Sequence, residues 1–268
     1  MPKVKLPKPP VPDALVPRPK RPGTVEKAGP REVAKETGIS AIDWVDERTG
    51  VSGAARWMMF RKVPKGTNWF YTLGSATMFA FLSQTVTGVF LAMYYIPDPA
   101  GGAYESVRYL TNEVFLGEFV RGMHKWGASV MVILVMLHMA RTFFFGAYKY
   151  PRELNWVIGV VLLILTFVMG FTGYLLPFDQ KAYWATVVGV NINGTGPLVG
   201  PYLNDFIRAG PDFTSTTLAR FYSIHMLLVP GAIVALIGAH LWLVAKQGVT
   251  APPWMKADRK GDVGEERA

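Results

Sequence analysis

The apolar residues of this chain gather into four long blocks. Trp69 to Pro97 and Trp156 to Pro177 contain no charge, Gly122 to Phe145 carries only Lys125 and Arg141 besides its two histidines, and Phe221 to Ala245 is interrupted only by two more histidines. Each block has about 20 residues or more, the length an α-helix needs to cross roughly 30 Å of hydrocarbon. Backbone in lipid must satisfy its own hydrogen bonds, so each block predicts a helix. The pattern predicts an all-α membrane protein, a four-transmembrane-helix bundle. Buried helices of a large soluble core are the alternative, and four such blocks with so few charges argue against it.

The polar remainder divides the chain further. Residues 1–40 are rich in Pro, Lys and Val and read as a disordered basic arm. Such an arm serves anionic headgroups or a partner subunit, or is simply solvated. Residues 41–66 include Ala41, Ile42, Trp44, Val45, Val51, Ala54, Trp57 and Met58 and read as an amphipathic helix lying along the inner interface. Residues 67–250 then form the four-helix domain and 251–268 a C-terminal tail.

Composition narrows the chemistry. Half of the 268 residues are apolar and 18% are charged, against roughly 25% charged in an average soluble domain. Cysteine is absent, which excludes a disulfide scaffold, a zinc–thiolate site, a cysteine nucleophile and a thiolate-held iron–sulfur cluster. The net charge of +9 comes from 28 basic against 19 acidic residues. Fourteen Lys/Arg lie in residues 1–68, three (Arg141, Lys149, Arg152) at the second connection and five in the C-terminal tail. Basic residues mark the cytoplasmic side. Both termini are therefore expected inside, with the loops at about 98–120 and 178–220 outside, and the charge is read as topology rather than nucleic-acid binding. No apolar signal-peptide core precedes the first block, and a multi-pass place in a bacterial plasma membrane is expected.

The four histidines carry the sharpest signal. His124 and His138 lie 14 residues apart in the second block, and His225 and His240 lie 15 apart in the fourth. Fourteen helical residues rise about 21 Å and return within about 40° of whole turns, whereas fifteen end about 60° past them. Each helix thus carries two imidazoles on roughly one face, near opposite leaflets. The two helices run in the same direction, so His124 meets His225 near the outer side and His138 meets His240 near the inner side. Two facing imidazole pairs suit two bis-histidine haems between the helices. A di-iron bundle requires Glu-x-x-His pairs, and a proton relay requires intramembrane carboxylates; the blocks contain neither.

Other residues fit. Gly74 and Gly88, and likewise Gly159 and Gly173, are 14 apart, which places a small residue opposite each porphyrin; ordinary small-residue helix packing is the alternative. Arg121, Arg141 and Arg220 sit at the membrane edges close to the histidines, where guanidinium groups can pair with haem propionates or simply set topology.

With these residues in place, the chain resembles the cytochrome b family of quinol–cytochrome c and quinol–plastocyanin oxidoreductases from about Trp44 to Pro252. The likeness lies in RGMHKWGAS, HMART, the Trp-Val-Ile-Gly of the third block, FTGYLLPFDQKAYWATVV and LARFYSIH. The 15-residue spacing, Pro230 five residues after His225 and the ending AKQGVTAPP are similar to the short, split b6 type. The resemblance implies quinol oxidation near the outer side, with one electron passing to a Rieske iron–sulfur protein and a c-type cytochrome. The other passes through the outer and inner b haems to a quinone near the inner side, coupled to proton translocation. It implies that Phe171, Tyr174, Trp184 and Ala185 help wall the outer quinol pocket, and that the complex is a homodimer. The family's Pro-Glu-Trp-Tyr motif and later helices are absent, so a second cytochrome b subunit is expected. Thr72 stands where b6 proteins hold an extra haem through Cys, so no covalent haem is expected. Trp57 and Ala245 replace an acid and an Arg near the inner quinone, for which no ligands are assigned. Two other classes compete: a dihaem membrane anchor of a dehydrogenase or reductase, and a haem-free structural or channel subunit.

Overall fold

The computed structural model describes residues 41, 43–53, 60, 63–210 and 212–255. The expectations for the arm 1–40, for Ile42, Ala54, Trp57 and Met58, and for the tail beyond Met255 lie outside the described residues. The chain divides into two compact units, Met1–Val63 with Lys256–Ala268, and Pro64–Met255. In the first, residues 43–49 are helical. Trp44, Val45 and Val51 are exposed there, Arg48 lies 4.1 Å over the Trp44 ring, and Asp46 accepts two 2.6 Å hydrogen bonds from Ser52.

The second unit holds the site, and its described elements are all helical. Asn68 caps a 3-10 turn, Trp69–Thr72, that leads into α1, Leu73–Ala92. Then come α2 Gly102–Asn112, α3 Gly117–Phe144, α4 Glu153–Leu175, α5 Gln180–Gly194, α6 Gly200–Arg208 and α7 Ser215–Ser223. A π-helical turn, Ile224–Leu228, joins α7 to α8, Val229–Gln247. The four membrane-length helices, Trp69–Ala92, Gly117–Phe144, Glu153–Leu175 and Ser215–Gln247, fall on the four apolar blocks. The first ends at Ala92, short of Pro97. The fourth begins early, because Thr214 and Thr217 form a capping box.

The connections between α1 and α3 and between α4 and α7 are not bare loops. The first contains α2, whose Ala103, Ser106 and Leu110 are buried at three- and four-residue steps. The second contains α5 and α6. Their mixed composition hides them from a search for long apolar runs.

Helix α1 packs on α3, and α8 on α4. The central core joins Ala80, Phe81, Met131, Val229 and Ile233, with Leu165 and Val168 against it. These positions lie about midway between the two histidine levels, so an apolar plug separates them. A second cluster, Ala103, Leu175, Val190, Leu218 and Phe221, ties α2, α5 and α7 to the end of α4. Phe79, Val86, Ile133, Ile164 and Val234 remain exposed on the spans, as lipid-facing side chains do. The α4–α5 corner is made by Pro177, by Phe178 at φ 50°, and by Asp179, whose carboxylate accepts from the Ala182 N–H at 2.7 Å. Beside it the Tyr95 hydroxyl donates to the Leu176 carbonyl at 2.6 Å. Burial pushes the pKa of that hydroxyl up, with Tyr222 adding to the shift, so it remains a donor across the ordinary pH range.

Candidate functional site: two levels of paired imidazoles

The four histidines meet in two pairs. The rings of His124 and His225 are 6.4 Å apart between centroids and cross at 74°. Those of His138 and His240 are 6.5 Å apart and cross at 79°. An imidazole nitrogen lies about 1.1 Å from its ring centre and a metal–imidazole bond is about 2.0–2.1 Å long. Two rings sharing one metal ion on opposite sides therefore have centres about 6.3 Å apart. Both pairs meet that requirement. Among the described residues no group of three or more His, Asp and Glu gathers as a metal site. Two facing imidazoles with no other side-chain ligand suit a haem, whose macrocycle would supply the remaining ligands.

The equality of the two separations has a local cause in the fourth span. Pro230 has no N–H for the carbonyl four residues back, and the Val229 N–H bonds the Ile224 carbonyl five residues back. A π-turn takes up one extra residue. The 15-residue interval on the fourth span is thereby brought into register with the 14-residue interval on α3.

The glycines touch the imidazoles directly. A Cβ on Gly74 would stand 3.1 Å from Cε1 of His138, one on Gly88 3.2 Å from that of His124, one on Gly159 3.7 Å from that of His240, and one on Gly173 2.5 Å from that of His225. At each of the four glycines the bare backbone lies against a histidine ring.

The arginines differ from one another. Arg141 lies 3.7 Å over the Tyr71 ring, and its Nε and Nη2 are buried without a hydrogen-bond partner, ready for an anion. Arg121 donates to the Thr111 hydroxyl at 3.2 Å, and Arg220 to the Phe206 carbonyl. Of the expected quinol-pocket residues, Phe171 lies inward, 5.7 Å from Phe221, with Gly189 beneath its ring. Tyr174, Trp184 and Ala185 are exposed; Trp184 donates to Gln180 at 3.0 Å.

Two residues escaped the sequence reading. The Thr87 hydroxyl is 2.9 Å from Nδ1 of His124, and that of Thr172 is 3.2 Å from Nδ1 of His225. Each immediately precedes the glycine that abuts the same histidine, a Thr-Gly pair that the sequence does display.

A four-span bundle with two levels of paired imidazoles defines a membrane protein of the haem-carrying class. Residues 58–248 match the family model described as Cytochrome b/b6/petB, and the chain belongs to this b-type haem family. It is 43% identical to the menaquinol:cytochrome c reductase cytochrome b subunit of Geobacillus thermodenitrificans over 218 residues, 78% of this chain and 97% of that one. It is 42% identical to cytochrome b6 of Heliobacterium modesticaldum over 213 residues, 79% of this chain and 100% of that one. A chain of a hyperthermophilic respiratory complex III matches with a TM-score of 0.74 and 32% identity over 83% of this chain. The present chain spans 59% of that solved chain.

Proposed function

We propose that this chain is the dihaem cytochrome b subunit of a quinol–cytochrome c oxidoreductase. His124 and His225 hold the outer haem, and His138 and His240 the inner haem. The observation carrying this reading is the pair of near-equal ring separations, each fitting one shared iron. Each haem supplies a one-electron couple, and two such levels along one bundle link the two faces of the membrane. Gly74, Gly88, Gly159 and Gly173 make room for the histidine rings. Arg141 offers two unpaired N–H groups to a propionate at the inner level, and Arg121 and Arg220 stand at the outer end.

Quinol is oxidised at the outer side, where Phe171 backs the pocket and the exposed Tyr174, Trp184 and Ala185 await a wall from a partner. Quinone is reduced at the inner side, with protons released outside and taken up inside. The names of two relatives, 43% and 44% identical, favour menaquinol as the quinol. The partners are a Rieske iron–sulfur protein, a c-type cytochrome and a second cytochrome b subunit, in a homodimeric complex of a bacterial plasma membrane with both termini cytoplasmic. Both haems are held without thioether bonds, since the chain has no cysteine.

The test is a dithionite-reduced spectrum with pyridine haemochrome quantitation of the purified complex. Two b haems per chain are expected in the wild type and one in His225→Ala. Two haems retained in His225→Ala would refute the pairing. A Rieske protein and a c-type cytochrome should copurify; a dehydrogenase in their place would point to the membrane-anchor class.

A further inference from the structure

We propose that Thr87 and Thr172 are positioning residues for the outer imidazoles, each accepting the Nδ1 proton of its histidine and so setting the ring's tautomer, orientation and donor strength. The inference rests on the bis-imidazole reading above. The Thr87 hydroxyl lies 2.7 Å from the Ser83 carbonyl, and that of Thr172 lies 2.8 Å from the Val168 carbonyl. A hydroxyl has one proton and two lone pairs. With its proton given to a carbonyl, each oxygen can only accept from Nδ1. Nδ1 then carries the proton, and the Nε2 lone pair is left for iron. Thr87 is 6% and Thr172 4% exposed, so water does not compete for the bond.

The device is repeated and confined to one level. Thr87-Gly88 serves His124 on α3, and Thr172-Gly173 serves His225 in the π-turn. In each pair the glycine admits the ring and the threonine grips it. At the inner level Leu73 and Ile158 precede Gly74 and Gly159, and neither has a hydroxyl. His240 has its Nδ1 buried with no hydrogen-bond partner. The hydroxyl is therefore what sets the outer level apart. An acceptor on Nδ1–H raises the basicity of the metal-bound nitrogen, which favours the oxidised iron. The two threonines thus lower the midpoint potential of the outer haem, leaving the inner one unaffected.

Redox titration of the intact complex in its membranes tests this, with the outer haem assigned as the one lost in His225→Ala. Thr87→Val and Thr172→Val should each raise the outer midpoint without moving the inner, and Thr→Ser at the same positions should return it. Loss of the outer haem in a Val variant with retention in the Ser variant would also support the positioning role. Unchanged midpoints in the Val variants, an equal shift of both haems, or a Ser variant that fails as Val does would overturn it. Failure of the underlying reading is seen separately, as two haems persisting in His225→Ala.

Discussion

At Gly173 a methyl group would come within 2.5 Å of Cε1 of His225, whereas at Gly159 it would meet His240 at 3.7 Å, ordinary van der Waals contact. The four glycines therefore should not respond alike to alanine. Overpacking in a rigid site costs about 1–3 kcal/mol. Gly173→Ala should weaken outer haem retention by about five- to 140-fold, counting 1.4 kcal/mol per factor of ten. Gly74→Ala and Gly88→Ala, at 3.1 and 3.2 Å, should lose less, and Gly159→Ala should keep both haems. Haem per chain after detergent washing measures the order. The 14-residue spacing marked these glycines in the sequence. That they abut the imidazoles needed the crossing of helices. Thr87 and Thr172 were illegible for a related reason, since a threonine in a membrane helix ordinarily bonds its own i−4 carbonyl, as these two also do.

The fourth span shows how an element absorbs an irregular spacing. An α-helix of uniform pitch leaves His225 and His240 about 60° out of register, and the π-turn before Pro230 removes that mismatch. Deleting Leu227 together with Pro230→Ala should close the π-turn into α-helix at a 14-residue spacing and leave both haems in place. Deleting Ala235 with the π-turn intact rotates one histidine by about 100° against the other and should cost one haem. Quantitation of haem per chain in both variants decides the matter, and equal haem content would dismiss the register argument. Pro230 was visible as a missing donor. Whether the chain kinks, frays or widens there is settled by packing against α4.

For the whole molecule, orientation rests on charge. The connections before α3 and after α4, proposed to lie outside, and the basic-rich one between α3 and α4, proposed to lie inside, make opposite predictions for access. Because the chain has no cysteine, single-cysteine labelling has no background from it. Ala100→Cys and Thr195→Cys should react with a membrane-impermeant thiol reagent on intact cells, and Lys149→Cys only after permeabilisation; the reverse pattern would invert the topology. Span number, helical class and the two histidine intervals were determined by the sequence alone, because hydropathy and 3.6-residue periodicity act locally along one chain. The tertiary structure alone decided the ring crossing, the glycine–imidazole contacts, the threonine hydroxyl contacts of His124 and His225 and the packing of Phe171 on Phe221. Each depends on the rotation and close approach of helices distant in sequence, which no local pattern specifies.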